Sequence, residues 1–212
     1  MTKGRLEAFS DGVFGVAITL LILDVRPEGG STGWEMLSHE WHHILVFLLS
    51  FVLVGVYWVA HHHIMHFITS TNRILLWLNL MLLLFIVFIP YVATLLSASH
   101  ADTSSIRIYG ATLILINLTG SALCAYAMIN RRLVSPALPQ SFIKFVMCLH
   151  TAPVLIYGVA IALASSCRLL SLLLFALVPA FFILPNPFLE RHLHHATEAI
   201  RAHEKKHEER RE

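Results

Sequence analysis

An all-α membrane protein is the fold class this sequence predicts, and three observations predict it. Hydrophobic residues make up 57% of the 212-residue chain and charged residues only 13%, whereas soluble domains run at roughly 45–50% apolar and about a quarter charged. The mean hydropathy is +0.70. The apolar residues also come in separate runs of bilayer-crossing length, about 20 residues each, divided by short polar, glycine- or proline-containing breaks.

Six spans follow, at approximately 6–25, 41–64, 74–97, 107–129, 140–165 and 169–187. The second to fifth are continuous apolar stretches. The first has a shorter apolar part preceded by Lys3 and Arg5, as a secretory leader would. Asp11 interrupts the start of its apolar core, and Asp24-Val25-Arg26-Pro27-Glu28 lacks a small-residue cleavage pattern, so the segment reads as a retained helix. Pro27 to Gly33, Ser97 to Ser105 and the turn bracketed by Pro136 and Pro139 supply the breaks. After Pro185-Asn186-Pro187 the composition switches to a charged, helix-favouring tail. Residues 1–187 are thus expected to form the transmembrane domain and 188–212 a cytoplasmic tail, either a solvated helix or an assembly element.

Charge sets the orientation. With the N-terminus inside, the inner segments hold Lys3, Arg5, Arg73, Arg131, Arg132, Lys144 and the tail's basic residues, against Arg26, Arg107 and Arg168 outside. That is the positive-inside pattern, with both termini cytoplasmic in a cell (cytoplasmic) membrane. The net charge of +2 and the absence of basic clusters interleaved with aromatics argue against nucleic acid as a partner. Cys124, Cys148 and Cys167 sit inside apolar runs at no metal or disulfide spacing. No serine-histidine-acid set, paired carboxylates or nucleotide-binding glycine loop stands out, so an enzyme, a resident metal and a cofactor are not expected.

The first span carries the chemistry. Asp11 opens a segment of hydrocarbon-crossing length, and ionisable groups at membrane depth usually face protein or water and carry function. Val16, Leu20 and Leu23 fall at i, i+4 and i+7, one stripe of a helix, with Thr19 bordering it. Gly12, Gly15 and Ala17 permit close helix approach. Around a symmetry axis the stripe would make stacked apolar rings with a hydroxyl beside them, a constriction that gates by dewetting and favours the more easily dehydrated potassium ion. The same periodicity also suits ordinary lipid-facing or core side chains.

The run Arg5-x-x-x-Phe9-Ser10-Asp11, followed by Gly12-Val13-Phe14 and Ala17-Ile18-Thr19-Leu20-Leu21, closely resembles the first-helix signature of the lysosomal-type potassium channel family, transmembrane protein 175, in its prokaryotic single-repeat form. Tyr57-Trp58-Val59-Ala60-His61-His62 and Leu76-Trp77-Leu78-Asn79 are similar to the family's second- and third-helix patterns. The resemblance implies a homotetramer of six-helix subunits in the lipid bilayer, first helices lining a central pore, potassium as the permeant ion and no Thr-Val-Gly-Tyr-Gly filter. It places the bulky constrictions on Val16, Leu20 and Leu23 and the pore threonine on Thr19; Val16 stands where relatives often carry Ile or Leu.

Span direction then brings Arg5, Ser10, Asp11, Trp58, His61, His62 and Asn79 toward the inner half. An inter-helix network is expected there, with Asp11 accepting from Ser, Trp or His donors. Two other classes compete. A proton-coupled carrier would use Asp11 and nearby histidines, but carriers typically show inverted repeats and broken helices. The 14 histidines would suit a membrane haem or metal protein, with paired imidazoles on facing helices, yet most lie at boundaries or in the tail; His150 alone reads as deep, and His62 with His66 has i, i+4 spacing.

Overall fold

Segments separated by short polar turns become antiparallel helices, because backbone groups inside hydrocarbon have to be satisfied within their own helix. The computed structural model describes residues 2–23, 25, 41–184 and 187–209. Among these the architecture is all-helical: α1 (Lys3–Ile22), α2 (Trp41–Phe67), α3 (Arg73–Ala98), α4 (Thr103–Met128), a 3-10 turn (Ile129–Arg131), α5 (Gln140–Leu163), α6 (Arg168–Ile183) and α7 (Pro187–Glu208). The second to fifth predicted spans fall on α2 to α5, four helices long and apolar enough to cross a membrane. The Pro27 to Gly33 connection, with Asp24 and Arg26 before it, lies outside the described residues.

The first predicted span keeps its length but lies three residues earlier, and the sixth is shorter as a helix. Helix α1 has 20 residues, roughly 30 Å at 1.5 Å per residue, about one hydrocarbon thickness. Helix α6 has 16 residues, roughly 24 Å. It stops at Ile183 rather than 187 because Leu184 precedes Pro185 and is extended at φ −65°, ψ 139°, the conformation the following ring imposes. Pro90, Pro153 and Pro179 each sit inside a continuous helix.

The turn between α3 and α4 is tight, with His100 and Ala101 at φ 50° and 53°. Asp102 then caps α4, its Oδ1 accepting from Ser105 N at 2.7 Å; Asn72 does the same for α3 through Leu75 N at 3.0 Å. At the opposite end Asn130 at φ 59° breaks the chain out of α4, and Ile68 pairs with Val134 in an isolated bridge. Thr69 N donates to Leu133 O at 2.8 Å there, fastening the α2–α3 turn to the α4–α5 turn.

Helices α3, α4 and α5 form the middle of the bundle, with α1 against α2 and α3, and α6 against α5, α4 and α2. The close approach of α4 to its neighbours depends on Gly110, where an added Cβ would lie 2.7 Å from Ile161 Cγ1 and 3.0 Å from Phe175 Cζ. By contrast α2 reaches α4 by polar struts. Ser50 Oγ and Tyr109 OH are 2.9 Å apart, and Asn117 Nδ2 donates to Tyr57 OH at 2.9 Å. Between them lies an apolar cavity of about 530 Å³ whose walls include Phe14, His61, His150 and Phe182. Helix α7 packs on α5 through a stack of His192 on Phe145, ring centroids 4.3 Å apart, and buries Ala196.

Candidate functional site: the first-helix motif and its opposite face

Helix α1 divides its residues between two faces. Leu6, Ser10, Phe14, Ala17 and Leu21 are buried, the i, i+4, i+8, i+11, i+15 stripe of a helix packed along one side. Ser10 is the polar member of that stripe, with no solvent-accessible surface. Its Oγ donates to Leu6 O at 2.9 Å and accepts from Asn79 Nδ2 at 3.0 Å. Since the Asn79 amide nitrogen points at Ser10, its oxygen faces α2, where His61 Nε2 lies 2.8 Å away and donates. The result is a relay from α2 through α3 to α1, all in buried side chains. An unpaired group at such a position costs about 1–3 kcal/mol, so the three side chains fix one another.

Asp11 sits at the edge of this seam. Trp58 Nε1 donates to its Oδ1 at 2.9 Å, tying α1 to α2 on the side away from Asn79. Ser10 and His61 do not reach Asp11; they belong to the Asn79 relay. The ring of His61 packs on Phe14 at 5.5 Å between centroids, and the exposed His62 ring lies 5.9 Å from Trp58. Arg5 and Phe9 are exposed. Phe14, a member of the first-helix motif, completes the seam; the sequence gives no sign of the imidazole it meets. Lys3 was likewise read only as a charge; its Nζ lies 3.7 Å from Glu7 Oε1 and 3.4 Å from His66 O.

The opposite face of α1 carries Val16, Leu20 and Leu23, exposed at 55%, 39% and 60%. Thr19 lies exposed on the same side, its hydroxyl donating to Val16 O at 2.9 Å, which leaves the oxygen's lone pairs as acceptors. Gly12 and Gly15 have open space where a Cβ would go. A 20-residue helix thus presents an apolar, small-residue and hydroxyl-bearing face that its own subunit leaves uncovered. Among the described residues no three His, Cys, Asp or Glu side chains are arranged to hold a metal ion. His150 Nδ1 donates to Val146 O at 2.9 Å, leaving Nε2 3.8 Å from Cys124 Sγ.

The family described as "Endosomal/lysosomal potassium channel TMEM175" matches residues 5–90, the stretch that contains the motif and its partners on α2 and α3. A protein named as a potassium channel from Streptomyces collinus is 31% identical over 157 residues, covering 68% of this chain and 76% of that one. The chain belongs to the TMEM175 family. A protein named as a potassium channel from Chryseobacterium sp. (strain P1-3) is 40% identical over 116 residues, 54% of this chain and 59% of that relative's length. The crystal structure of a lysosomal potassium-selective channel TMEM175 homolog from Chamaesiphon minutus superposes with a TM-score of 0.73 at 26% identity, covering 86% of this chain and 96% of that one. The chain is therefore an integral membrane protein of a channel family rather than an enzyme.

Proposed function

We propose that this chain is a potassium-selective cation channel in which four copies surround an axis with the uncovered face of α1 turned inward. The observation that carries this reading is the exposure of Val16, Leu20 and Leu23 on the face opposite the buried Ser10–Phe14 stripe. In a tetramer the three positions become stacked apolar rings. Such rings strip water from a passing ion and gate by dewetting. Potassium surrenders its shell more readily than sodium, so a narrow ring favours it, and Thr19 offers hydroxyl lone pairs beside the constriction. The names of the relatives support potassium as the permeant ion.

The same reading takes α1 and α2 to α6 as six crossings, residues 1–187 as the channel domain and 188–212 as a cytoplasmic tail. Both termini then lie on the cytoplasmic side of the cell membrane, as the excess of Lys and Arg on that side favours. Arg5, Phe9, Ser10, Asp11, Trp58, His61, His62 and Asn79 serve as the group that sets the angle of α1.

The test is reconstitution of the purified full chain into planar bilayers under a potassium gradient. A channel gives current that reverses near the potassium equilibrium potential. Saturable, pH-coupled flux without a defined reversal potential would replace this reading with the carrier one.

A further inference from the structure

The ends of three helices converge on a second groove, at the end of the bundle where α1 finishes. Its volume is about 520 Å³. Helix α2 contributes Trp41 and His42 at its first turn and Leu45 and Val46 one turn deeper; α3 contributes Leu96, and the turn that follows it His100; α6 contributes Arg168 at its start and Leu169 and Leu172 within its first turn and a half. On α2 and α6 the polar group stands at the helix start with Leu45 and Leu172 one turn further in, and Leu96 lies one turn inside His100; Leu169, beside Arg168, stays largely exposed. No carboxylate lines the groove among the described residues. Asp102, two residues after His100, uses its carboxylate to cap α4.

The polar end is organised. His100 is held at φ 50°, a conformation L side chains adopt only when the surroundings require it, and its ring lies 4.5 Å from that of His42. His42 in turn meets Trp41 edge-on at 5.9 Å. An imidazole keeps at least one N–H donor in either charge state, and the guanidinium of Arg168 is always charged and suited to phosphate oxygens. Trp at such a height is characteristic of the boundary between hydrocarbon and headgroups.

We infer that this groove binds an anionic phospholipid, its phosphate on Arg168 with His42 and His100 and its acyl chain along the leucines. The donor set matches the phosphate by charge, and the inward leucine wall matches the tail. This assignment needs only that the chain is membrane-embedded and is independent of the pore reading.

The experiment is native mass spectrometry of the full detergent-solubilised chain, titrated separately with palmitoyl-oleoyl phosphatidylglycerol and with the phosphatidylcholine of the same chains. The wild type retains phosphatidylglycerol preferentially. R168Q weakens that retention about tenfold, the scale of one charge-assisted contact, with phosphatidylcholine retention unchanged; R168K restores most of it. L172E, which leaves Arg168 in place, weakens both lipids, and R107Q, on an exposed arginine outside the groove, weakens neither. Millimolar inorganic phosphate displaces no phosphatidylglycerol, because a free ion gains nothing from the leucine wall. Equal retention of the two lipids by the wild type, undiminished phosphatidylglycerol binding by R168Q, or displacement by phosphate would each overturn the assignment.

Discussion

Asn79 Nδ2 donates to Ser10 Oγ at 3.0 Å, a hydrogen bond between α3 and α1 in a site that neither residue shares with solvent. Because the Asn79 oxygen is held by His61 at the same time, the amide cannot turn away if Ser10 is lost. Ser10→Ala is expected to lower stability by about 1–3 kcal/mol, the penalty of one buried donor left without a partner. Asn79→Leu is expected to cost at least as much. Thermal melts of the two single variants and the double variant should give a coupling energy of about 0.5 kcal/mol or more. Simple additivity would show that the pair is not coupled.

Trp58 fixes Asp11 from the other side. Trp58→Phe keeps the apolar ring and removes the N–H, so its loss reports the hydrogen bond alone, about 0.5–1.5 kcal/mol for a contact open to solvent. Asp11→Asn, which keeps a side-chain oxygen, should be milder than Asp11→Ala. The fraction of tetramer in light scattering and the open probability in single-channel records are the readouts. Identical behaviour of Asp11→Ala and the wild type in both would take this contact out of the pore-holding group.

On the uncovered face, Leu20→Ala and Leu23→Ala are expected to raise conductance and reduce the preference for potassium over sodium, read as a shift in bi-ionic reversal potential. Val16→Ile should narrow the first ring and act in the opposite direction. Unchanged currents in both leucine variants would remove these residues from the ion path.

Gly110 sets how closely α4 approaches α5 and α6. A methyl group there meets Ile161 at 2.7 Å and Phe175 at 3.0 Å, so Gly110→Ala should destabilise by roughly 1–3 kcal/mol, the usual range for overpacking. Removing the opposing Cγ1 with Ile161→Ala should make the further addition of Gly110→Ala less costly in the double variant than in the wild-type background. A neutral Gly110→Ala would mean the helices separate freely at this point.

Asp102 gives the α3–α4 turn a pH dependence of known sign. Hydrogen bonds from the Ser105 backbone and side chain hold its carboxyl below the ordinary 3.8. A depressed carboxyl stabilises the fold at pH values above its unfolded-state range and loses that contribution as pH falls through the depressed value. The melting difference between wild type and Asp102→Ala should therefore be constant near neutrality and shrink below about pH 4. A gap that widens on acidification would contradict the capping role.

Much of the fold was legible because the signals were local. Apolar runs of bilayer length located α2 to α5, and the change of composition after Pro185-Asn186-Pro187 marked the start of α7, while the predicted sixth span ran past the end of α6. The site divided differently. The stripe of Val16, Leu20 and Leu23 follows from helical geometry, and the polar residues of the motif stand out against their apolar neighbours. Which donor meets which acceptor depends on the rotation of three helices about their own axes, which no local pattern encodes. Hence Asp11 could be assigned a Ser, Trp or His donor from sequence, while the choice of Trp58, and the diversion of Ser10 and His61 to Asn79, needed coordinates. The cavity beside α2 was equally hidden, since an apolar residue reads the same whether it touches a neighbour or a void.

The bridge between Ile68 and Val134 sits at the far end of the bundle from the covalent turn that joins α3 to α4. Helices α1 to α3 and helices α4 to α6 are thereby clasped at top and bottom, like two boards hinged along both short edges. Splaying them apart would tear main-chain bonds at one end, so that motion is denied to the subunit. Among the described residues the ties of α1 to the other helices are side-chain hydrogen bonds and packing; in the proposed channel the movement that opens or shuts a passage is then a tilt or rotation of that single rod against a stiff backing.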